Sequence, residues 1–185
     1  NYVLANEGLA VSFGIGYYLA TKKIPLIYLQ NSGLGNATDP LTNLANKEVY
    51  SIPLVLLIGW RGHPKIKDEP QHVIQGKILK KTLKSFNIPN VELKNEKSYL
   101  KINKLISFGK KYSRAVAILV NNQTFYKNKN TQITKSILSL RKEYLIKILS
   151  KTKKDDKIIS SVGYNSREIY QIIKNLKIKR KNFYL

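Results

Sequence analysis

The chain has 185 residues, is 43% apolar, contains no cysteine and carries a formal net charge of +22. That length and apolar content suit one well-buried domain with part of a second and exclude disorder throughout. The absence of cysteine excludes disulfides and thiolate metal sites and is consistent with a reducing, cytoplasmic setting.

The charge raises the question of a polyanionic partner. It is nearly all lysine, scattered along the chain, and Arg61, Arg114, Arg141, Arg167 and Arg180 do not cluster as phosphate-gripping forks would. A basic nucleic-acid-binding module is therefore the lesser reading, one that predicts binding weakened steeply by salt. The best apolar run, Ile52 to Trp60, is too short to cross a bilayer and contains Pro53. The first residues have neither the basic start nor the long apolar segment of a signal peptide, and Asn1 in place of Met points to a processed or missing start.

Strands and helices alternate. Tyr2 to Ala5 reads as a short strand. Glu7 to Thr21 reads as a helix buried on most sides through Ala10, Val11, Phe13, Gly14, Tyr17, Tyr18 and Ala20, with Lys22 and Lys23 placed where cations suit a helix end. Ile24 to Leu29 is a continuous apolar run, hence a buried strand. A loop from Asn31 to Pro40 enters a helix with Thr38 or Asp39 as its cap, running to about Val49 or Tyr50. Ile52 to Ile58 is a second buried strand. After a polar loop come helix 73–86, strand 91–93, helix 99–112 and strand 115–120. This order predicts an α/β fold, an open parallel sheet with helices on both faces and right-handed crossovers.

Residues 1–120 form that domain. A polar stretch, 121–138, reads as a linker. A second α/β pattern occupies 139–185: helix 139–150, strand 158–162, helix 166–176 and a basic end at 177–181.

Several residues stand out chemically. Glu7 joins a strand end to a helix start. A helix N-terminus favours a carboxylate on structural grounds alone, whereas its apolar neighbours suit an acid kept protonated by burial; the residues leave these readings even. Gln30 to Asn36 follows a strand's C-terminal end, where α/β sheets place ligands. Gly33 and Gly35 there permit positive φ or close backbone approach, and the loop lacks the Gly-Lys-Ser/Thr ending of a P-loop. Arg61 and His72 bracket the next loop and suit a dianion such as a phosphonate or carboxylate. Against this, Arg61 also reads as a solvated loop residue and His72 as an ordinary helix N-terminal residue. His63 reads as exposed, Asp68-Glu69 as a solvated turn, and Tyr17, Tyr18 and Trp60 as packing.

Asn6-Glu7-Gly8, then Gln30-Asn31-Ser32-Gly33-Leu34-Gly35-Asn36, then Leu57-Ile58-Gly59-Trp60-Arg61-Gly62, then Lys67-Asp68-Glu69-Pro70-Gln71-His72 resemble the phosphonopyruvate decarboxylases, thiamine-diphosphate-dependent 2-oxoacid decarboxylases. The segments stand in family order and spacing over most of residues 3–89. The sulfopyruvate decarboxylases share the second segment but match Trp60-Arg61 and 68–72 less well. The resemblance implies a pyrimidine-binding domain in which Glu7 is catalytic. Its carboxyl would hydrogen-bond the cofactor's ring nitrogen opposite the amino group and so promote loss of the thiazolium C2 proton, for decarboxylation of phosphonopyruvate to phosphonoacetaldehyde. It puts Asn31, Gly33, Gly35 and Asn36 beside the cofactor.

Gly163-Tyr164-Asn165-Ser166-Arg167-Glu168 resembles the start of the family's diphosphate-binding domain, although Tyr164 and Asn165 depart from the pattern. Ser166 there would receive a phosphate oxygen, and as a plain N-cap it reads equally well. The family's Gly-Asp-Gly and Asn-Asn magnesium motif is absent, so no metal ligand is assigned in this chain. The resemblance also implies that the first strand and helix lie ahead of Asn1 and that the second domain continues past Leu185. The chain would then need a homo-oligomeric neighbour, or a chain bearing the diphosphate-binding domain, and be inactive by itself.

Overall fold

The computed structural model describes residues 2–125, 135–153, 156–160, 164–176 and 183–184. It divides into two compact units, Asn1–Tyr126 and Lys127–Leu185.

In the first unit, α1 (Glu7–Thr21) is opened by Asn6, whose side chain accepts a hydrogen bond from Leu9 N at 2.8 Å. This cap satisfies one of the helix's unpaired donors. Lys22 closes the helix in a left-handed turn at φ 59°. There follow β1 (Leu26–Gln30), a 3₁₀ turn (Asn31–Leu34), a π turn (Pro40–Leu44), β2 (Val55–Gly59), α2 (Pro70–Ser85), β3 (Asn90–Glu92), α3 (Lys97–Lys111) and β4 (Val116–Val120).

The four strands form one parallel sheet in the order β1-β2-β4-β3. β4 is buried at all five positions, which is why it reads as an unbroken apolar run. On one face Ile27, Leu29, Leu56, Ile58, Ala117 and Leu119 pack with Val11 and Ile15 of α1 and Leu79 and Leu83 of α2. On the other, Val55, Val116, Ile118 and Val120 pack with Ile102 and Leu105 of α3. Each such valine, leucine or isoleucine contributes roughly 1.5–3 kcal/mol by leaving water. The open parallel sheet with helices on both faces is thus as expected. The register aligns Gln30 with Gly59 and Gly59 with Val120, so the loops after β1 and β2 leave the sheet side by side.

Three expectations need correction. α1 is not buried on most sides: Val11, Gly14 and Ile15 are buried, while Phe13, Tyr17 and Ala20 are exposed, because one face alone packs on the sheet. Tyr2 to Ala5 is not a strand. A strand persists only against a hydrogen-bonded neighbour, and among the described residues the sheet ends at β1. The helix entered at Pro40 stops at Leu44 rather than near Tyr50: residues 47–50 form turns, and Ser51 takes φ 51° to redirect the chain into β2.

The second unit contains α4 (Lys135–Lys151), β5 (Ile158–Ile159), α5 (Tyr164–Asn175) and β6 (Phe183–Tyr184), with β5 and β6 paired in parallel. Leu149 and Ile172 are buried within it. α5 starts at Tyr164, two residues ahead of the expected Ser166, and β6 was not foreseen. Residues 126–134 of the linker, the strand end at 161–162, Gly163 and the basic segment 177–181 lie outside the described residues.

Candidate functional site

The parallel register and the α1 cap together fix the position of Glu7. It is the first residue of α1, half-buried, and it lies against the loop leaving β1. Its Oε2 accepts a hydrogen bond from Asn36 Nδ2 at 2.9 Å. Its carboxyl rests directly on Gly33: a Cβ there would stand 2.3 Å from Glu7 Cδ and 2.4 Å from Oε1. One helical step on, a Cβ at Gly8 would stand 2.5 Å from the Asn36 carbonyl oxygen. The main-chain contact of α1 with this loop therefore requires glycine at 8, whereas a side chain at 33 would push the Glu7 carboxyl aside. Gly35 has no such constraint. It is right-handed helical at φ −57°, and a Cβ would meet only Ser32 O at 3.9 Å.

Asn31 acts differently from its neighbours. It is 2% exposed, its Nδ2 donates to Arg61 O at 3.0 Å, and its Oδ1 accepts from Arg61 N at 2.9 Å. Both polar ends are committed to one main-chain residue, so Asn31 pins the loop after β1 to the loop after β2.

Arg61 is turned onto Asp68. Nε donates to Oδ2 at 2.8 Å and Nη2 to Oδ1 at 2.6 Å, while Asp68 also accepts from Gly62 N at 2.7 Å and Glu69 N at 2.8 Å. The Arg61 hydrogen bonds, helped by those main-chain donors, hold the Asp68 carboxyl well below the usual carboxylate range despite some opposing desolvation. Asp68 is thus a structural clasp, not a solvated turn residue. Gly62 lies at φ 66°, and a Cβ there would stand 1.9 Å from His72 O; a Cβ at Gly76 would stand 1.8 Å from Gly62 O. The loop is pressed main chain to main chain onto α2, and Trp60 Nε1 ties it down by donating to Gly76 O at 3.0 Å.

His72 sits half-buried in the first turn of α2 and makes no side-chain hydrogen bond to a described residue. His63, read from the sequence as exposed, is instead largely covered. It stacks edge-on against Trp60 with centroids 4.4 Å apart, and Nε2 lies 3.2 Å from Glu92 Oε1. Its Nδ1 accepts from Lys65 N at 3.2 Å, which leaves the proton on Nε2. Glu92 also meets Lys80 and Lys94, at 3.7 and 3.4 Å. In the second unit Ser166 is 3% exposed, with its hydroxyl 3.0 Å from that of Ser160. It is inside α5 rather than at its cap, because the helix begins earlier.

The structure therefore gathers Glu7, Gly33 and Asn36 at the strand tips, where a parallel sheet opens its crevice. Arg61 belongs to the neighbouring clasp, tied to the first group through Asn31. Sequence reasoning missed Asn6 as cap, Asp68 as clasp and Gly62 with Gly76 as the loop contact. Asn6 immediately ahead of the helical run carried a signal for the first; the others depend on approaches between distant residues.

Residues 1–83 match the family model for the thiamine pyrophosphate enzyme, N-terminal TPP binding domain. The sheet they help to build is the pyrimidine-binding fold. Among curated relatives, phosphonopyruvate decarboxylase of Streptomyces viridochromogenes is 43% identical over 75 residues, and that of Streptomyces hygroscopicus is 41% identical over 75 residues. Each match covers 40% of this chain and 18% of the relative, so the chain spans well under two thirds of the length of the relatives it matches. The resemblance drawn from the four segments is borne out by these matches.

Proposed function

We propose that this chain, with the pyrimidine-binding fold over its first 83 residues, supplies the cofactor-activating wall of a thiamine-diphosphate-dependent decarboxylase converting phosphonopyruvate to phosphonoacetaldehyde and CO₂. The observation that carries this reading is the Glu7 carboxyl, half-buried at the strand tips and held between Asn36 and Gly33.

The residues fit the pyrimidine end of the cofactor. A ring nitrogen needs one oriented carboxyl, and Glu7 offers one with a single oxygen engaged by Asn36. They do not extend to the diphosphate end. Among the described residues no three His, Asp or Glu side chains gather as metal ligands, and the Arg61 fork is turned onto Asp68. Magnesium and diphosphate would be held by a neighbouring subunit or a second chain. When bound, the cofactor supplies the electron sink that takes up the pair released with CO₂. Glu7 holds the proton shared with the ring nitrogen. Asn36 and Gly33 orient Glu7, and Asn31 keeps the two loops in register. The reading implies a cytoplasmic enzyme.

The test is decarboxylation of phosphonopyruvate, with sulfopyruvate as the competing substrate, in the presence of thiamine diphosphate, Mg²⁺ and a chain supplying the diphosphate-binding domain. Glu7→Gln should lower kcat by roughly 10²–10⁴-fold, the usual worth of a positioned acid–base group. Full activity in that variant would remove Glu7 from the reaction and the reading with it.

A further inference from the structure

We infer that Asn36 is a positioning residue for Glu7, fixing both the rotamer of its carboxyl and the oxygen that carries the proton. This rests on the reading of Glu7 just given and goes beyond the resemblance, which only put Asn36 beside the cofactor.

Two contacts grip Asn36. Its main chain is pressed onto the helix start, where Gly8 leaves room for its carbonyl, and its own N–H donates to Gly33 O at 3.1 Å. The backbone therefore cannot swing away, and the side-chain amide is delivered to Glu7 from a fixed base. Nδ2 then reaches Oε2 at 2.9 Å, while the Gly33 surface supports the same carboxyl from the side of Oε1. A carboxyl on three rotatable bonds is otherwise free to turn, and freezing such a side chain costs rotamer entropy. One hydrogen bond and one close wall offset that before any ligand arrives.

The chemistry follows from donor and acceptor count. An amide N–H donates only. Oε2, already accepting from Asn36, cannot carry a proton aimed at the same donor. The carbonyl oxygen of a carboxylic acid accepts better than its hydroxyl, so the Asn36 bond favours placing a Glu7 proton on Oε1, the oxygen beside Gly33. Asn36 thus decides which of two chemically equal oxygens is the working one.

The test uses the whole 185-residue chain, labelled with ¹³C and ¹⁵N. In the wild type, the Asn36 side-chain amide resonances should move through a pH titration in step with the Glu7 carboxyl carbon, and that movement should vanish in Glu7→Gln. Three-bond couplings should report one Glu7 rotamer in the wild type and averaged rotamers in both Asn36→Ala and Asn36→Asp. The second variant keeps the side-chain shape but replaces the donor with a carboxylate that repels Glu7, so the neutral Asn36→Ala isolates loss of the bond. Unchanged amide fingerprints for residues 26–30 establish that both variants are folded. In the reconstituted enzyme both variants should lower kcat by roughly tenfold, the worth of one hydrogen bond, with KM for phosphonopyruvate little changed.

A single Glu7 rotamer persisting in both variants, or an Asn36 amide indifferent to Glu7, overturns the proposal. So does a variant that weakens thiamine diphosphate binding while leaving Glu7 fixed, since Asn36 would then be a cofactor ligand. The couplings are read without cofactor. An intact wild-type latch in a chain that fails to support decarboxylation would therefore count against the enzyme reading alone.

Discussion

At the scale of single residues, the two glycines of the loop after β1 make opposite predictions. A methyl group at Gly33 would overlap the Glu7 carboxyl at 2.3 Å, and the flexible glutamate gives way more readily than the sheet. Gly33→Ala is expected to leave the melting temperature nearly unchanged while abolishing most cofactor-dependent activity. Gly35→Ala, in ordinary helical backbone with its nearest atom at 3.9 Å, should be silent in activity and stabilise by about 0.4–1 kcal/mol through the unfolded chain. Thermal melts paired with activity measurements separate the two. Asp68 gives a pH prediction. Its folded carboxyl is depressed, so its contribution is complete above the unfolded value of about 3.9 and is lost as pH falls from there toward the folded value. Asp68→Ala should remove roughly 2 kcal/mol at neutral pH, because Arg61 at 41% side-chain exposure can rehydrate whereas the Gly62 and Glu69 amides lose an acceptor. Urea titrations at pH 7 and pH 3 should show the gap between the wild type and the variant beginning to narrow at the lower pH. Much of the Glu7–Gly33–Asn36 group was legible because the motif segments name those residues. The Asp68 clasp was not. Adjacent acids in a polar stretch look solvated until the fold brings Arg61 and two main-chain donors onto one of them.

At the scale of elements, burial decided what could be read. β2 and β4 are apolar at every position because both faces are covered, and the sequence marks them without ambiguity. β1 is the instructive case. Ile27 and Leu29 are buried, while Leu26 and Tyr28 are 64% and 73% exposed, although the run looks uniformly apolar in sequence. Composition records what a residue can bury, and only the sheet order records what covers it. The same limit explains residues 2–5, which have strand-like composition and no partner among the described residues. In a parallel strand, alternate residues bond to opposite neighbours. Pro25 O accepts from Val55 N at 3.1 Å, so Ile27 and Leu29 face β2, and the main-chain groups of Leu26, Tyr28 and Gln30 face the open edge. Amide hydrogen exchange should therefore alternate along β1, slow at 27 and 29 and at least tenfold faster at 26, 28 and 30. Uniform protection of all five amides would mean that the edge is covered in solution.

At the scale of the whole molecule, the division into two units carries a consequence for stability. Every residue of both apolar clusters, from Val11 to Val120, belongs to the first unit, which also contains all four strands of the larger sheet. A chain of this size buries enough surface to fold unaided, and among the described residues both cores are built from within that unit. Residues 1–126 expressed alone should show a single cooperative melt, with the near-ultraviolet dichroism of a buried Trp60 and a midpoint within a few degrees of the full chain. Trp60 is a suitable reporter because it is 7% exposed and anchored to Gly76 inside that unit. Loss of the near-ultraviolet signal with retained far-ultraviolet helix, together with dye binding to exposed apolar surface, would mark a molten state. In that event the sheet would depend on residues 127–185 for its packing, and Glu7 would owe its position to more than the helix cap, the Gly33 contact and the Asn36 amide.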